Sequence, residues 1–331
     1  MIWLITGGCG FIGANLVSHL LREKVLGIRV VDDLSVGYLK NLEKIAEVST
    51  VSVDQASKSI PTGLEFVQAD IKDLEAVKKV AHGVDVIVHL AANTGVAPSV
   101  ENPVFDCLQN VVGTLNCLES ARVNAIKKFV FASSGAPVGE VTPPIHEKIA
   151  PKPVSPYGAS KLAGEGYCSS YYRCFGVETV ALRFGNVYGP GSDQKESVVA
   201  KFIKKAMAGE KLEVYGDGHQ TRDFVYIDDL INAIKLAATV PDVGGEIFQI
   251  ATNSETTVVE LIEIMIKRFE VSGLDVPEVI HSESRLGDVR RNFSDTSKAK
   301  KMLGWSPETG LDNGIGKTLQ YFLGVQNKEN V

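Results

Sequence analysis

The sequence predicts an α/β fold: a doubly wound parallel sheet with a second, smaller α/β lobe. Two observations carry this expectation. Through the first half of the chain, short apolar runs alternate with helical patterns, the signature of a parallel sheet covered on both faces. The length of 331 residues exceeds the size at which one hydrophobic core stops growing, which calls for a second lobe.

Taken in order, MIWLIT reads as the first strand, residues 11–21 as the first helix and IRVVDD as the second strand. Residues 48–63, polar and aperiodic around SVDQASKS, are expected to be a surface loop or small insertion. VDVIVHLAA, a helix over 110–121 and KKFVFASS continue the alternation. A helix beginning near Pro156 leads to the strand TVALRFGN, and the shorter pieces DFVYI and EIFQIA are expected to return to the same sheet. After Asn186, the glycine-rich loops YGPGSD, YGDGHQ and SRLGDVRR separate helical stretches at 197–208 and 258–269. The sheet domain is therefore assigned to 1–183 with returns near 222–255, and the second lobe to 184–221 and 256–331. The tail VQNKENV is expected to be disordered.

Composition narrows the function. A net charge of -6 gives no general electrostatic attraction to nucleic acid or anionic membrane, partners that call for a clustered basic surface. Five cysteines without C-x-x-C spacing argue against a disulfide framework and a structural zinc site, and fit a reducing cytoplasm. The six histidines stand at no ligand-pair spacing, so no metal is expected. No run of 18 apolar residues exists and the N-terminus opens on a strand pattern, so neither a membrane span nor a signal peptide is expected.

The first strand empties into TGGCGFIGANL, with glycines at 7, 10 and 13 before an amphipathic helix. Glycine is wanted where a backbone turns tightly, where it touches a pyrophosphate, and where helix approaches strand. The helix N-terminus then offers free N–H groups to the phosphates. Asp32 answers 19 residues after Gly13, at the end of the second strand, which completes the pattern of a Rossmann-type dinucleotide site. Its carboxylate suits a ribose diol. A 2'-phosphate there would add like charges costing roughly 1 to 4 kcal/mol per pair, so NAD is favoured over NADP. The neighbouring Asp33 could instead be the ribose ligand, although Asp32 holds the strand-end position.

In SPYGASKLAGE, Ser155 is a plausible N-cap and Pro156 suits the first helical turn. Tyr157 and Lys161 then lie four apart on one face. A tyrosine titrates near ~10 and needs a neighbouring cation to serve as a base at neutral pH, so Lys161 is expected to stabilise its phenolate while bonding the nicotinamide ribose. The stretch FVFASSGAPVGE leaves two readings: a strand cap followed by a turn, or the wall of an active site.

In this order TGGCGFIG, Asp32, HLAA (89–92), Asn110 in NVVGTLN, the paired serines, YGASK, RFGNVYGPG, GDGHQTRDFVYIDD and RLGDVRR with KAKKMLGW resemble the extended short-chain dehydrogenase/reductase family. Within it they are most like the NAD-dependent sugar-nucleotide epimerases and dehydratases, UDP-sugar 4-epimerases above all. The resemblance covers almost the whole chain. It implies that Ser134 is the catalytic hydroxyl beside Tyr157. It implies that Asp70 and Ile71 lie against adenine, that Leu90, Ala91 and Ala92 line the cofactor channel, and that Phe11, Ile12, Ser35, Asn110 and Phe184 are further cofactor contacts. Asn186 resembles the residue that touches the sugar diphosphate, and Tyr215 lies in the loop near the nucleoside. Arg222 and Arg285 resemble a diphosphate clamp, a task suited to the guanidinium fork. Val199, Asp288 and Asn292 are further substrate positions. A homodimer through the helices containing Asn110 and Tyr157 is also implied.

The family picture begins with Tyr157 taking the 4-hydroxyl proton while C4 passes hydride to NAD, giving a 4-keto sugar. A 4,6-dehydratase then needs an Asp-Glu pair directly after the catalytic hydroxyl, and a UDP-glucuronate decarboxylase a nearby Glu. Here those positions are Gly135 and Ala136, which transfer no proton. The expectation is a UDP-sugar 4-epimerase acting on a hexose, N-acetylhexosamine or uronic acid; the alternatives are a dehydratase or decarboxylase drawing its acid from elsewhere, and a non-catalytic dinucleotide-binding scaffold. Asn292, four past Asp288, stands where a tyrosine restricts some glucose/galactose epimerases. The chain departs from the usual V-Y-G after the hydroxyl, with Pro137-Val138-Gly139; the missing aromatic is expected to enlarge the pocket, and Pro137 to hold Ala136 extended.

Overall fold

The protein was analysed as a computed structural model, which describes residues 1–283 and 290–329. An eight-stranded, all-parallel sheet forms its centre. Seven strands are β1 (Ile2–Thr6), β2 (Gly27–Asp32), β3 (Ser49–Thr50), β4 (Gly63–Gln68), β5 (Val86–His89), β6 (Lys128–Ser134) and β7 (Glu178–Phe184). The eighth is Glu246–Ile250, and the order across the sheet is Glu246–Ile250, β7, β6, β5, β1, β2, β4, β3. The chain thus winds one way from β1 to β3 and the other way from β5 outward. The reversal opens a crevice at the carboxyl ends of β1 and β5, where such sheets bind ligands.

The period-two alternation of strands decides which side chain goes to which face. Trp3 and Ile5 join one buried cluster with Leu16, Val17 and Leu20 of the first helix, α1 (Phe11–Arg22); Leu4 joins the opposite cluster with Ile87, Phe129 and Phe131. The first of these clusters runs without a break to Phe202, Leu261 and Trp305, far beyond the sheet. The helix Pro156–Phe175, here called the tyrosine helix, starts where Ser155 Oγ accepts from the Gly158 N–H at 3.1 Å with Pro156 in the first turn, and it stops at Gly176, whose φ is 72°.

Three expectations are corrected. Residues 48–63 are not a bare loop: Ser49–Thr50 extends the sheet beside β4, and Val53–Ala56 is a short helix held by a reciprocal Ser52–Gln55 capping box. DFVYI does not return to the main sheet; Phe224–Tyr226 pairs with Asn186–Tyr188 in a separate two-stranded sheet, because the outer side of β7 is already taken by Glu246–Ile250. The tail is helical as far as Glu329 within the helix Leu311–Glu329. Among the described residues, no helix is long and apolar enough to cross a membrane, no cluster suits a metal ion, and all five cysteines are free.

Candidate active site

A cavity of about 560 Å³ occupies the crevice. Its walls come from the ends of β1, β2, β5, β6 and β7, the start of α1, the tyrosine helix, and segments beyond Phe184. The glycine loop forms one side. At Gly7 (φ 70°) a Cβ would stand 2.7 Å from the Ala91 nitrogen, and at Gly13 it would stand 2.5 Å from the Gly7 oxygen, so both positions exclude any side chain. Gly10 caps α1 without a side-chain bond, leaving the first N–H groups of the helix free for an anion. These are the features a dinucleotide pyrophosphate needs, and the residues fit it.

Asp32, at the end of β2, lines the cavity, with its Oδ2 accepting from the Cys9 N–H at 3.0 Å and its Oδ1 from the Leu34 N–H at 2.9 Å. Burial raises its carboxyl above the ordinary value, and these two hydrogen bonds oppose the rise. Leu34 stands at φ 62°, a costly conformation for a branched side chain. Asp32 therefore also holds the loop, a task the sequence did not reveal. Asp33 Oδ1 accepts from both the N–H and the hydroxyl of Ser35, and both residues line the cavity.

At the other end Ser134, Tyr157 and Lys161 converge on the same cavity. Burial raises the Tyr157 phenol above its ordinary value, and the neighbouring Ser134 hydroxyl opposes the rise. Lys161 Nζ donates to the Ala132 carbonyl at 2.9 Å and lies 5.9 Å from the Tyr157 ring centroid. Burial lowers its ammonium to about 8, opposed by the charge of Asp106.

Asn110 lies behind the pair, not on the cavity wall. It sits where the helix widens into a π-turn (Leu108–Val112), and its Nδ2 donates to Asp106 Oδ1 at 3.0 Å and to Ser160 Oγ at 3.1 Å. Beneath Ser134, the Ser133 hydroxyl donates to Glu165 Oε1 at 2.6 Å, and Glu165 receives the Arg183 guanidinium through two bonds of 2.8 and 2.7 Å. His89, between Thr6 and Thr114, is held neutral by burial, its value pushed down to about 3.

The strand exit differs from expectation. Gly135 takes an ordinary right-handed backbone (φ -66°, ψ -18°), and Ala136–Val138 forms a 3₁₀ turn, so Pro137 does not hold Ala136 extended. Val138 is fully buried and does not line the cavity, so its replacement of an aromatic does not widen the pocket. A Cβ on Gly135 would meet nothing within 4 Å.

Of the remaining predicted residues, Phe11, Ile12, Ile71, Leu90, Ala91, Ala92, Phe184, Asn186, Val199 and Arg222 line the cavity. Three do not. Asp70 Oδ1 accepts from the Lys72 N–H, Tyr215 donates its hydroxyl to Glu213 at 2.8 Å, and Asn292 donates its N–H to Thr221 Oγ1 at 3.2 Å. Arg285 and Asp288 lie outside the described residues. The cavity also takes in Tyr38 and Lys195, which stand in loops, and Asn41 of the short helix Lys40–Glu43; sequence reasoning missed them because no diagnostic spacing marks them.

Residues 3–251 match the model of the NAD dependent epimerase/dehydratase family. The chain is 38% identical over 324 residues to the UDP-glucose 4-epimerase of Mycolicibacterium smegmatis, covering 96% of this chain and 97% of that one. Its structure is similar to that of the UDP-glucose 4-epimerase of Thermotoga maritima with UDP-glucose, with a TM-score of 0.87, 35% identity, and coverage of 98% of this chain and 100% of that one. It is also similar to the UDP-glucuronic acid 4-epimerase of Bacillus cereus in complex with UDP-glucuronic acid and NAD, with a TM-score of 0.85, 28% identity, and coverage of 98% and 100%.

Proposed function

Since the chain belongs to the NAD dependent epimerase/dehydratase family, whose cofactor is NAD, we propose that it inverts C4 of a UDP-sugar (a hexose, N-acetylhexosamine or uronic acid) through a transient 4-keto sugar. Ser134 holds the 4-hydroxyl, Tyr157 takes its proton, and Lys161 supplies the positive charge beside the phenolate. NAD, which the glycine loop, Asp32 and the walls around Leu90, Ala91 and Ala92 would hold, would supply a hydride acceptor and donor at C4, so that the net reaction would consume none.

One observation carries this reading over dehydration. Among the described residues lining the cavity, the only carboxylates are Asp32 and Asp33 at the end of β2. β1 and β5 lie between β2 and β6, which places three interstrand steps, about 14 Å, between those carboxylates and Ser134. No carboxyl group among the described wall residues stands near Ser134, and elimination of water needs a further acid there. A panel of UDP-sugars followed by NMR is expected to show interconversion of one C4-epimeric pair without accumulating NADH. A stable 4-keto product or released carbon dioxide would instead select the dehydratase or decarboxylase reading.

The pH dependence follows from the proton count. The working form of the pair, phenolate with ammonium, carries one proton. Because Lys161 titrates near 8 and Tyr157 above its ordinary value, the pair carries two protons below about pH 8 and one above it. kcat/KM is therefore expected to rise toward pH 8 and to turn down only above the tyrosine value. A profile flat between about pH 6 and about pH 9 would contradict this assignment.

The same family reading implies a homodimer. Val100, Val104, Phe105, Leu108, Tyr167 and Phe175 are exposed apolar side chains on the tyrosine helix and the helical segments packed against it, which supports this reading. Light scattering on the purified protein should return twice the chain mass; a single chain mass would remove the dimer from the proposal.

A further inference from the structure

We propose that Asp106 is a positioning residue of the active site: held behind the tyrosine helix by Asn93 and Asn110, its carboxylate is the counter-charge of Lys161. The inference rests on the roles given above to Tyr157 and Lys161, and adds to them the buried group that sets the charge around the pair.

Asp106 stands on the short helix Pro103–Cys107, which packs on the tyrosine helix and runs directly into the π-turn. Its Oδ1 accepts from Asn110 Nδ2 at 3.0 Å and from Asn93 Nδ2 at 3.3 Å. The Asn110 amide is fixed at both ends: its Oδ1 accepts from the Asn93 N–H at 2.8 Å, and its Nδ2 also meets the Asn93 carbonyl at 2.9 Å and Ser160 Oγ at 3.1 Å. Ser160 in turn donates to the Tyr157 carbonyl at 3.0 Å. One chain of hydrogen bonds therefore joins the carboxylate to the first turn of the tyrosine helix, beside Lys161.

Neither charge has a direct counter-ion. The donors to Asp106 are neutral amides, and its second oxygen, Oδ2, is buried without a hydrogen-bond partner. Lys161 Nζ bonds a carbonyl and stands over the rings of Phe131 and Tyr157, at 4.9 and 5.9 Å from their centroids. The two residues are 1% and 4% exposed, so each charge would be costly without the other, and at low dielectric their attraction reaches across the intervening side chains. The other titratable groups that act on Lys161 do not replace Asp106. Glu165 is engaged by both bonds from Arg183, burial keeps Cys168 a neutral thiol, and His89 is neutral. Asp106 opposes the fall that burial imposes on the Lys161 ammonium, and it adds to the rise of the Tyr157 phenol. The carboxylate thus favours the protonated form of both members and sets the pH at which their one-proton form appears.

Asp106→Asn tests this in the NAD-loaded enzyme. Because Oδ2 meets no donor, an amide nitrogen placed there breaks no hydrogen bond, and the amide oxygen keeps the bonds to Asn93 and Asn110. Removing the negative charge disfavours the protonated forms, so the rise of kcat/KM is expected to move to lower pH by about 1 unit. Asn93→Ala deletes a hydrogen bond to the same carboxylate but no charge, and should leave the rise nearly in place. An unshifted profile in Asp106→Asn, whatever its rate, would overturn the proposal, as would an equal shift in Asn93→Ala. Urea unfolding supplies a readout independent of substrate. Lys161→Met strands the carboxylate, and adding Asp106→Asn should recover about tenfold in the folding equilibrium; a further loss in the double variant would overturn the pairing. That comparison does not require the single Asp106→Asn chain to fold. A wild-type enzyme that interconverts no nucleotide sugar would remove the functional reading, and the unfolding comparison would then decide this inference alone.

Discussion

Replacing Tyr157 with phenylalanine is expected to lower sugar interconversion by about 10²- to 10⁴-fold, the usual contribution of a positioned acid–base group. The change deletes one oxygen from a buried ring whose hydroxyl partner is Ser134 and leaves the ring's packing in place. Fold and bound NAD should therefore survive, as judged by circular dichroism and by the cofactor released on denaturation. The loss should appear in kcat, because the proton leaves the sugar hydroxyl only during the chemical step. Ser134→Ala should cost less, since it removes the group that aligns the hydroxyl and lowers the phenol but leaves the base present. A Tyr157→Phe enzyme that interconverts the sugar near the wild-type rate would place the base elsewhere.

The largest expected effect on stability lies behind the site. Glu165→Leu leaves the Arg183 guanidinium buried without its counter-charge; the pair's side chains are 2% and 1% exposed, and one Arg183 nitrogen, Nη1, already lacks a partner. Breaking such a pair costs about 3–5 kcal/mol, whereas replacing both members with apolar residues of similar volume is often neutral. Urea unfolding should therefore show a large loss for Glu165→Leu and a substantial recovery in Glu165→Leu/Arg183→Met. Equal losses in the single and double variants would mean that packing, not unpaired charge, sets the cost. Because Glu165 also holds Ser133, next to Ser134, the single variant should lose activity as well as stability.

The parts of this molecule that were legible in the sequence are those where local chemistry and fold demand the same residue. Gly7 and Gly13 could be read because steric exclusion there admits nothing larger, and Ser155 and Pro156 because helix starts have their own side-chain signature. The placement of Phe224–Tyr226 could not be read, because whether it joins the main sheet depends on which strand already occupies the edge of β7. Nor could the balance at Tyr157. Spacing put Lys161 on the same helical face, but burial of both groups, and the carboxylate of Asp106 behind them, emerge only from three-dimensional packing. Lys195 escaped for the same reason: its loop carries acidic and basic residues alike, and only the folded loop shows which one turns inward.

Gly135, the residue after Ser134, has an ordinary backbone and open space where a side chain would begin. Nothing in the fold requires glycine at this position, in contrast to Gly7 and Gly13. An acidic side chain could therefore be gained directly after Ser134 by one substitution without remaking the scaffold. Architecture and reaction outcome can then be inherited separately, with the chemistry free to diverge at a position on which folding places little constraint.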